Sequence, residues 1–143
     1  LELLVDGSAF GEVQQQQTLA ALGYADVGID EGWEGCGEGM NGSQHDAEGD
    51  PVIYNRSFPD MAALATAAHL RNITIGWYEN GCACGELIEK EINYVGDVRS
   101  ADTLGFDGVK FDGCGAQNNH TRYAELFNRT GCVRVRVSLP VQH

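Results

Sequence analysis

Positive charge is scarce in this chain. Nine Lys and Arg stand against 21 Asp and Glu, giving a formal net charge of −12 and a pI near 4.5. That balance argues against nucleic acid or an anionic membrane as partner. Long apolar runs are absent too, and nothing approaches the roughly 18 residues of a membrane span. Metal-ligand sets are missing. Cys82-Ala-Cys84 has no second Cys-x-x-Cys pair to complete it, and His45, His69, His120 and His143 are scattered, so neither a metal nor another cofactor is expected. The glycine-rich stretch from Gly35 to Gly49 lacks the Gly-Lys-Ser/Thr ending of a phosphate-cradling loop. The chain opens at Leu1 without a Met or a positively charged leader, so no signal peptide is visible and the front reads as cut.

What is present points to a globular protein of the secretory route. The composition is 43% hydrophobic and 21% charged over 143 residues, which suits one domain or part of a larger one. Five Asn-x-Ser/Thr triplets begin at Asn41, Asn55, Asn72, Asn119 and Asn128. With so few Asn, Ser and Thr, chance predicts roughly one such triplet or fewer. Five N-glycosylation acceptors together favour a secreted, lysosomal or vacuolar protein. Five cysteines (Cys36, Cys82, Cys84, Cys114, Cys132) fit an oxidising compartment and leave one unpaired.

Along the chain, short apolar strands alternate with amphipathic segments. Thr18 to Leu22 reads as a helix stopped by Gly23, and Tyr24 to Ile29 as a strand running into Asp30-Glu31-Gly32-Trp33. Ser57-Phe-Pro-Asp60 opens a helix, capped by Ser57 or a neighbour, with Pro59 in the first turn. Met61, Leu64, Ala65 and Ala68 form its packing face. Ile73 to Tyr78 is the next strand, Val98 to Leu104 a helix, and Thr121 to Asn128 another, stopped by Gly131. Such alternation predicts a parallel sheet with crossover helices, either a (β/α)8 barrel or a doubly wound sheet. A complete barrel needs about 200 residues or more, so this length holds only about half of one.

The centre of the chain is Phe106-Asp-Gly-Val-Lys-Phe-Asp-Gly-Cys114. In a strand Lys110 and Asp112 share a face, and Gly113 turns the chain after them. The pair also suits a solvated salt bridge on an edge strand. Its company favours a site: three successive strands end in Asp30-Glu31 with Trp33, Tyr78 with Glu79, and Lys110 with Asp112. Carboxylates grip sugar hydroxyls, and aromatic rings pack on pyranose faces. Trp77 alternates away from Tyr78 and reads as core, His69 as surface or packing, and Asp97, Asp102 and Asp107 as solvated or capping.

Leu22-Gly-Tyr-x-x-Val-x-Ile-Asp-Glu-x-Trp33, Phe58-Pro-Asp-x-x-x-Leu64, Ile75-Gly-Trp-Tyr78, Gly108-Val-Lys-Phe-Asp-Gly-Cys114 and Asn128-Arg-Thr-Gly131 occur in that order. As a set they resemble glycoside hydrolase family 27, the α-galactosidase and α-N-acetylgalactosaminidase group, over roughly residues 18 to 131. The resemblance implies residues 1–143 as a single incomplete (β/α)8 catalytic domain, about the N-terminal half of a TIM barrel, with 132–143 an atypical tail. It implies a retaining glycosidase acting on terminal α-galactosyl residues of an oligosaccharide or glycoconjugate, and a homodimer when full length. Asp112 corresponds to the nucleophile that forms a glycosyl-enzyme, and Lys110 on the same face favours its ionised form. Asp30 and Glu31 match the carboxylates that hold the far hydroxyls of the sugar. Trp33 matches an aromatic wall, Tyr78 a pocket-lining hydroxyl, and Lys110 a donor to a sugar hydroxyl. Cys114 matches a half-cystine whose partner lies in the loop after the family's third strand. That loop offers Cys84 or Cys82, with Cys84–Cys114 the expected bridge.

The departures from the family are specific. Glu31 stands where it has a second Asp, and Gly32 where it has a Cys. The aromatic opening of the first barrel strand has no counterpart in Leu1 to Phe10. Val133 to Leu139 alternates like an edge strand. The general acid/base carboxylate lies beyond position 143 in the family layout. Glu79 and Glu38 are spare carboxylates, but neither matches that position. The alternative reading is an inactive truncated relative that at most binds carbohydrate.

Overall fold

The structure, a computed structural model, describes residues 18–130 and 134–136. Four strands and three helices alternate in the order β1 (Asp26–Gly28), α1 (Met61–His69), β2 (Thr74–Gly81), α2 (Glu91–Leu104), β3 (Gly108–Gly115), α3 (His120–Thr130) and β4 (Arg134–Arg136). All strand pairs are parallel and the sheet order is β1-β2-β3-β4. Each strand lies beside its predecessor, so the sheet winds in one direction. A doubly wound sheet would reverse its strand order at a switch point, and the described strands do not.

Period-two alternation divides the two faces. Ile75 and Trp77 of β2, and Val109 and Phe111 of β3, are buried against the helices. Tyr78 and Lys110 are paired in register on the other face, as are Asn80 and Asp112. Met61, Ala65 and Ala68 of α1 are buried at helical spacing. From α3, Tyr123, Leu126 and Phe127 close over Phe111. Trp33, Trp77 and Phe106 form an edge-to-face chain with ring centroids 4.5 and 4.8 Å apart.

Several local expectations shift. The cap of α1 is Asp60, whose carboxylate accepts from the Ala63 N–H at 2.8 Å, so Pro59 lies outside the first turn. Ser57 is not the cap. Thr18 to Leu22 shortens to a 3₁₀ turn, Ala20–Leu22, closed by Gly23 at φ 90°. The second helix starts at Glu91, two turns before Val98, because its buried face there is Asn93, Tyr94, Gly96 and Asp97. A polar buried face carries no apolar period to read. Gly96 is required: a Cβ there would sit 1.7 Å from the Gly49 carbonyl oxygen, so the helix rides directly on the loop. That loop, Gly35 to Gly49, is itself anchored by bridges Glu34–Ile53 and His45–Pro51. Of the expected edge strand Val133–Leu139, Arg134–Arg136 is found as β4. The rest, with Leu1–Gln17, Gly131 and Cys132, lies outside the described residues.

Candidate active site

Asp30, past the end of β1, meets Tyr78 from within β2 and Lys110 and Asp112 from within β3. Two residues beyond β1, Asp30 Oδ2 accepts from Lys110 Nζ at 3.0 Å. The same ammonium lies 4.7 Å from the centroid of the Tyr78 ring. Tyr78 donates its hydroxyl to Asp112 Oδ2 at 2.9 Å. Lys110 therefore pairs with Asp30, and the direct donor to Asp112 is a phenol. Burial, and then the Asp112 carboxylate, push the Tyr78 hydroxyl up to about 12, so it stays a donor throughout the physiological range. The Glu31 N–H, donated to Asp30 Oδ1 at 2.9 Å, and then Lys110 hold the Asp30 carboxyl below its ordinary value.

The other expected residues divide. Asp112 and Glu31 are exposed, but the Glu31 carboxylate makes no hydrogen bond among the described residues. Its neighbour Glu34 is engaged instead, accepting from Gly32 N–H at 2.7 Å and from Asn80 Nδ2 at 3.4 Å. The aromatic wall expected at Trp33 is corrected. Trp33 is 0% exposed, packs edge-on against Trp77, and donates its indole N–H to the Tyr78 carbonyl at 3.0 Å. It braces the strand that carries Tyr78 and offers no face to a ligand. Asn80, beside Asp112 in register, was the missed residue. Period two from Tyr78 leads to Asn80, not to Glu79.

The disulfides also differ from the expected bridge. Cys114 is joined to Cys82, and Cys84 to Cys36, with Cα separations of 5.4 and 4.9 Å. The ladder decides this. Gly81 pairs with Gly115 across β2 and β3, so Cys82 and Cys114 are flanking neighbours. Gly115, at φ 76°, leaves no room for a Cβ, which would sit 2.0 Å from the Gly81 oxygen. Cys84, at φ 58°, leaves the ladder and meets the loop bearing Cys36.

Behind the rim, on the helix side of the sheet, is a buried polar network that the sequence did not disclose. His45 Nδ1 lies 2.7 Å from Glu86 Oε1, and His45 Nε2 lies 2.7 Å from Asp97 Oδ1. Tyr123 donates to Asp97 Oδ2 at 2.6 Å, and Asn93 Nδ2 reaches Glu86 Oε2 at 3.4 Å. Burial alone would lower the His45 pKa, but hydrogen bonds to Asp97 and Glu86 raise it to about 9, so the ring is an imidazolium between two carboxylates. Asp97 is thus fully buried, correcting its reading as solvated or capping. Glu79 is buried on this same side, level with Phe111. Burial, and then the Asp97 charge, push its carboxyl well above the usual range. It faces away from Asp112 and does not reach the rim. His69 is exposed, as expected, and pairs with Asp107 at 2.8 Å.

Among the described residues, no group of His, Cys, Asp and Glu could hold a metal ion, and no helix is long and apolar enough to cross a membrane. No protein-family model matches the chain, and no curated protein matches it significantly. Solved structures do match. The α-galactosidase of Saccharomyces cerevisiae, solved with raffinose, superposes with a TM-score of 0.65 at 19% identity, over 83% of this chain and 28% of that one. For α-galactosidase I of Mortierella vinacea the TM-score is 0.62 at 22% identity, over 79% of this chain and 30% of that one. The chain thus spans less than a third of the length of these enzymes. Its resemblance to glycoside hydrolase family 27, read first in the motifs, is matched by a shared fold with α-galactosidases.

Proposed function

We infer that this chain is a portion of a retaining glycoside hydrolase acting on terminal α-galactosides, and that its sheet is the N-terminal part of a (β/α)8 barrel. The observation that carries the reading is the convergence, beside the C-terminal end of β1, of Asp30 with Tyr78, Lys110 and Asp112 from one face of the parallel strands β2 and β3. That end of a parallel barrel is where catalytic groups sit. Asp112 is the nucleophile: a carboxylate oxygen bonds to the anomeric carbon as the glycosidic C–O bond breaks, leaving a glycosyl ester that water then hydrolyses. Tyr78 orients the attacking carboxylate through its hydroxyl, and loses that bond as the ester forms. Asp30, held by Lys110 and the Glu31 amide, accepts from hydroxyls on the far side of the ring, with Glu31 beside it. The leaving oxygen takes its proton from an acid that no residue of this chain is assigned to supply. Two disulfides and five exposed sequon asparagines support a secretory route.

The missing acid dictates the experiment. A fluorinated α-galactosyl substrate with an activated leaving group departs without protonation, so the nucleophile alone should be trapped. Intact-mass and peptide mapping are expected to place one galactosyl adduct on Asp112, and none on Asp112→Asn. An unlabelled wild-type chain that nevertheless binds galactose would leave the carbohydrate-binding reading in its place. An adduct on another carboxylate would refute Asp112.

A further inference from the structure

Two loops meet in an open groove of about 350 Å³, lined by Met40, Asn41, Ser43, Leu87, Ile88 and Lys90 among others. Its walls are fixed. Cys36–Cys84 ties one loop to the other, the Gln44 N–H donates to Glu86 Oε1 at 3.2 Å, and His45 grips the same carboxylate. Yet its lining is apolar and open to water: Leu87 is 86% and Ile88 71% exposed, with Met40 and Ile92 exposed nearby. A contiguous apolar patch on a rigid frame calls for a cover. The observation that identifies the cover is the presence of Asn41 in the lining. Asn41 heads the triplet Asn41-Gly-Ser43. It sits at the tip of the turn Met40–Gly42 with φ 56°, and Gly42 follows at φ 81°. Its amide is exposed and makes no hydrogen bond among the described residues. Asn119, by contrast, is a sequon residue whose side chain caps α3, accepting from the Arg122 N–H at 3.0 Å.

We propose that Asn41 carries an N-linked glycan whose first N-acetylglucosamine residues lie in this groove and cover Met40, Leu87 and Ile88. The attachment is a substitution. The Asn41 amide nitrogen bonds to the anomeric carbon of a lipid-diphosphate-linked oligosaccharide, the sugar–diphosphate bond breaks, and the amide proton leaves with the lipid diphosphate. No redox partner is needed, and the sequon supplies the recognition. The sugar's acetyl methyl and the C–H face of its ring match the apolar wall, while its hydroxyls and amide face water and Lys90. Because the frame is bridged by Cys36–Cys84, the groove is shaped before a glycan settles in it. This inference is independent of the glycosidase reading, because it uses none of the rim residues.

The test is made on the full chain secreted from a glycosylating eukaryotic host. Glycopeptide mass spectrometry is expected to find Asn41 occupied. Asn41→Gln should raise the fluorescence of a bound hydrophobic dye by roughly twofold or more, whereas Asn55→Gln should not. Adding Leu87→Ser and Ile88→Ser to Asn41→Gln should bring the dye signal back to the native level. Stripping the folded glycoprotein with a peptide-N-glycanase gives the same comparison without refolding. Trimming to a single N-acetylglucosamine should keep dye binding low. An unmodified Asn41 in a host that fills the other sequons would overturn the proposal. So would dye binding that is equal before and after removal of the glycan.

Discussion

Raising the pH should unfasten this protein through one histidine. His45 is 2% exposed and held at 2.7 Å by carboxylates on both nitrogens. Its pKa is about 9 in the fold against 6.5 in an unfolded chain. That difference corresponds to on the order of 3 kcal/mol. The folded state binds the proton more tightly, so this contribution is fully present below 6.5 and is lost as pH rises through about 9. Tyr94 and Tyr123, which pack beside the network, are both pushed up, Tyr94 to about 12, and stay protonated across this window. Glu79 and Asp97 are raised as well, both chiefly by burial, and their deprotonation with rising pH acts in the same direction. The measurement is therefore best made in a Glu79→Gln background. Urea unfolding followed by circular dichroism, with disulfides intact and ionic strength fixed, should show stability falling by about 3 kcal/mol across the window. An NMR titration of the His45 ring protons should show no step near 6.5. A ring that titrates near its unperturbed value, or a flat stability curve, would refute the ionic account of the network.

Other expectations follow from single contacts. Glu79→Gln removes a buried carboxyl with an unpaired oxygen and should raise the melting temperature more at pH 8 than at pH 5, as scanned by calorimetry. A non-reducing peptide map should yield Cys82–Cys114 and Cys36–Cys84, and a Cys84–Cys114 peptide would contradict the strand register. Replacing both Cys82 and Cys114 by Ser should cost roughly 4 kcal/mol by loop-closure arithmetic in urea unfolding. Asp60→Ala should cost about 1 kcal/mol through loss of the α1 cap, while Ser57→Ala should leave the unfolding midpoint unchanged.

The alternation of strands and helices was legible because the strands are short apolar runs and α1 has an apolar stripe. Gly23 and Gly105 stop their elements at φ 90° and 82°, conformations that glycine alone adopts without strain. What escaped was the start of α2. Its buried residues there are Asn93, Tyr94, Gly96 and Asp97, each placed by a partner far away in sequence. Periodicity reads hydrophobicity, and a helix face built to hold a charge has little. The disulfide pairing failed for a related reason. Cys82 and Cys84 are equivalent by spacing, and only the β2–β3 register with the left-handed turn at Cys84 distinguishes them.

At the rim the sequence located the strands but not their ends, since β2 runs on to Gly81 and β3 through Gly113 to Gly115, nor the roles of the side chains. Lys110 and Asp112 share a face, which invites pairing them with each other. The structure spends the ammonium on Asp30 and the phenol of Tyr78 on Asp112. For Asp112 acting as the proposed nucleophile, the division has a chemical consequence. A nucleophilic carboxylate clamped by an adjacent ammonium would give up a charge-assisted bond on attack. A neutral phenol gives up less, while the lysine's charge remains on a carboxylate that keeps its charge throughout the reaction. Trp33 serves the same end from beneath, by fixing the Tyr78 backbone through its indole N–H. The rim's geometry therefore rests on the core behind it. His45, Glu86 and Asp97 hold the loop next to that core. A change in the protonation of the buried network has a short path to Asp112 through Tyr123, which bonds to Asp97 and packs on Phe111, the residue before Asp112.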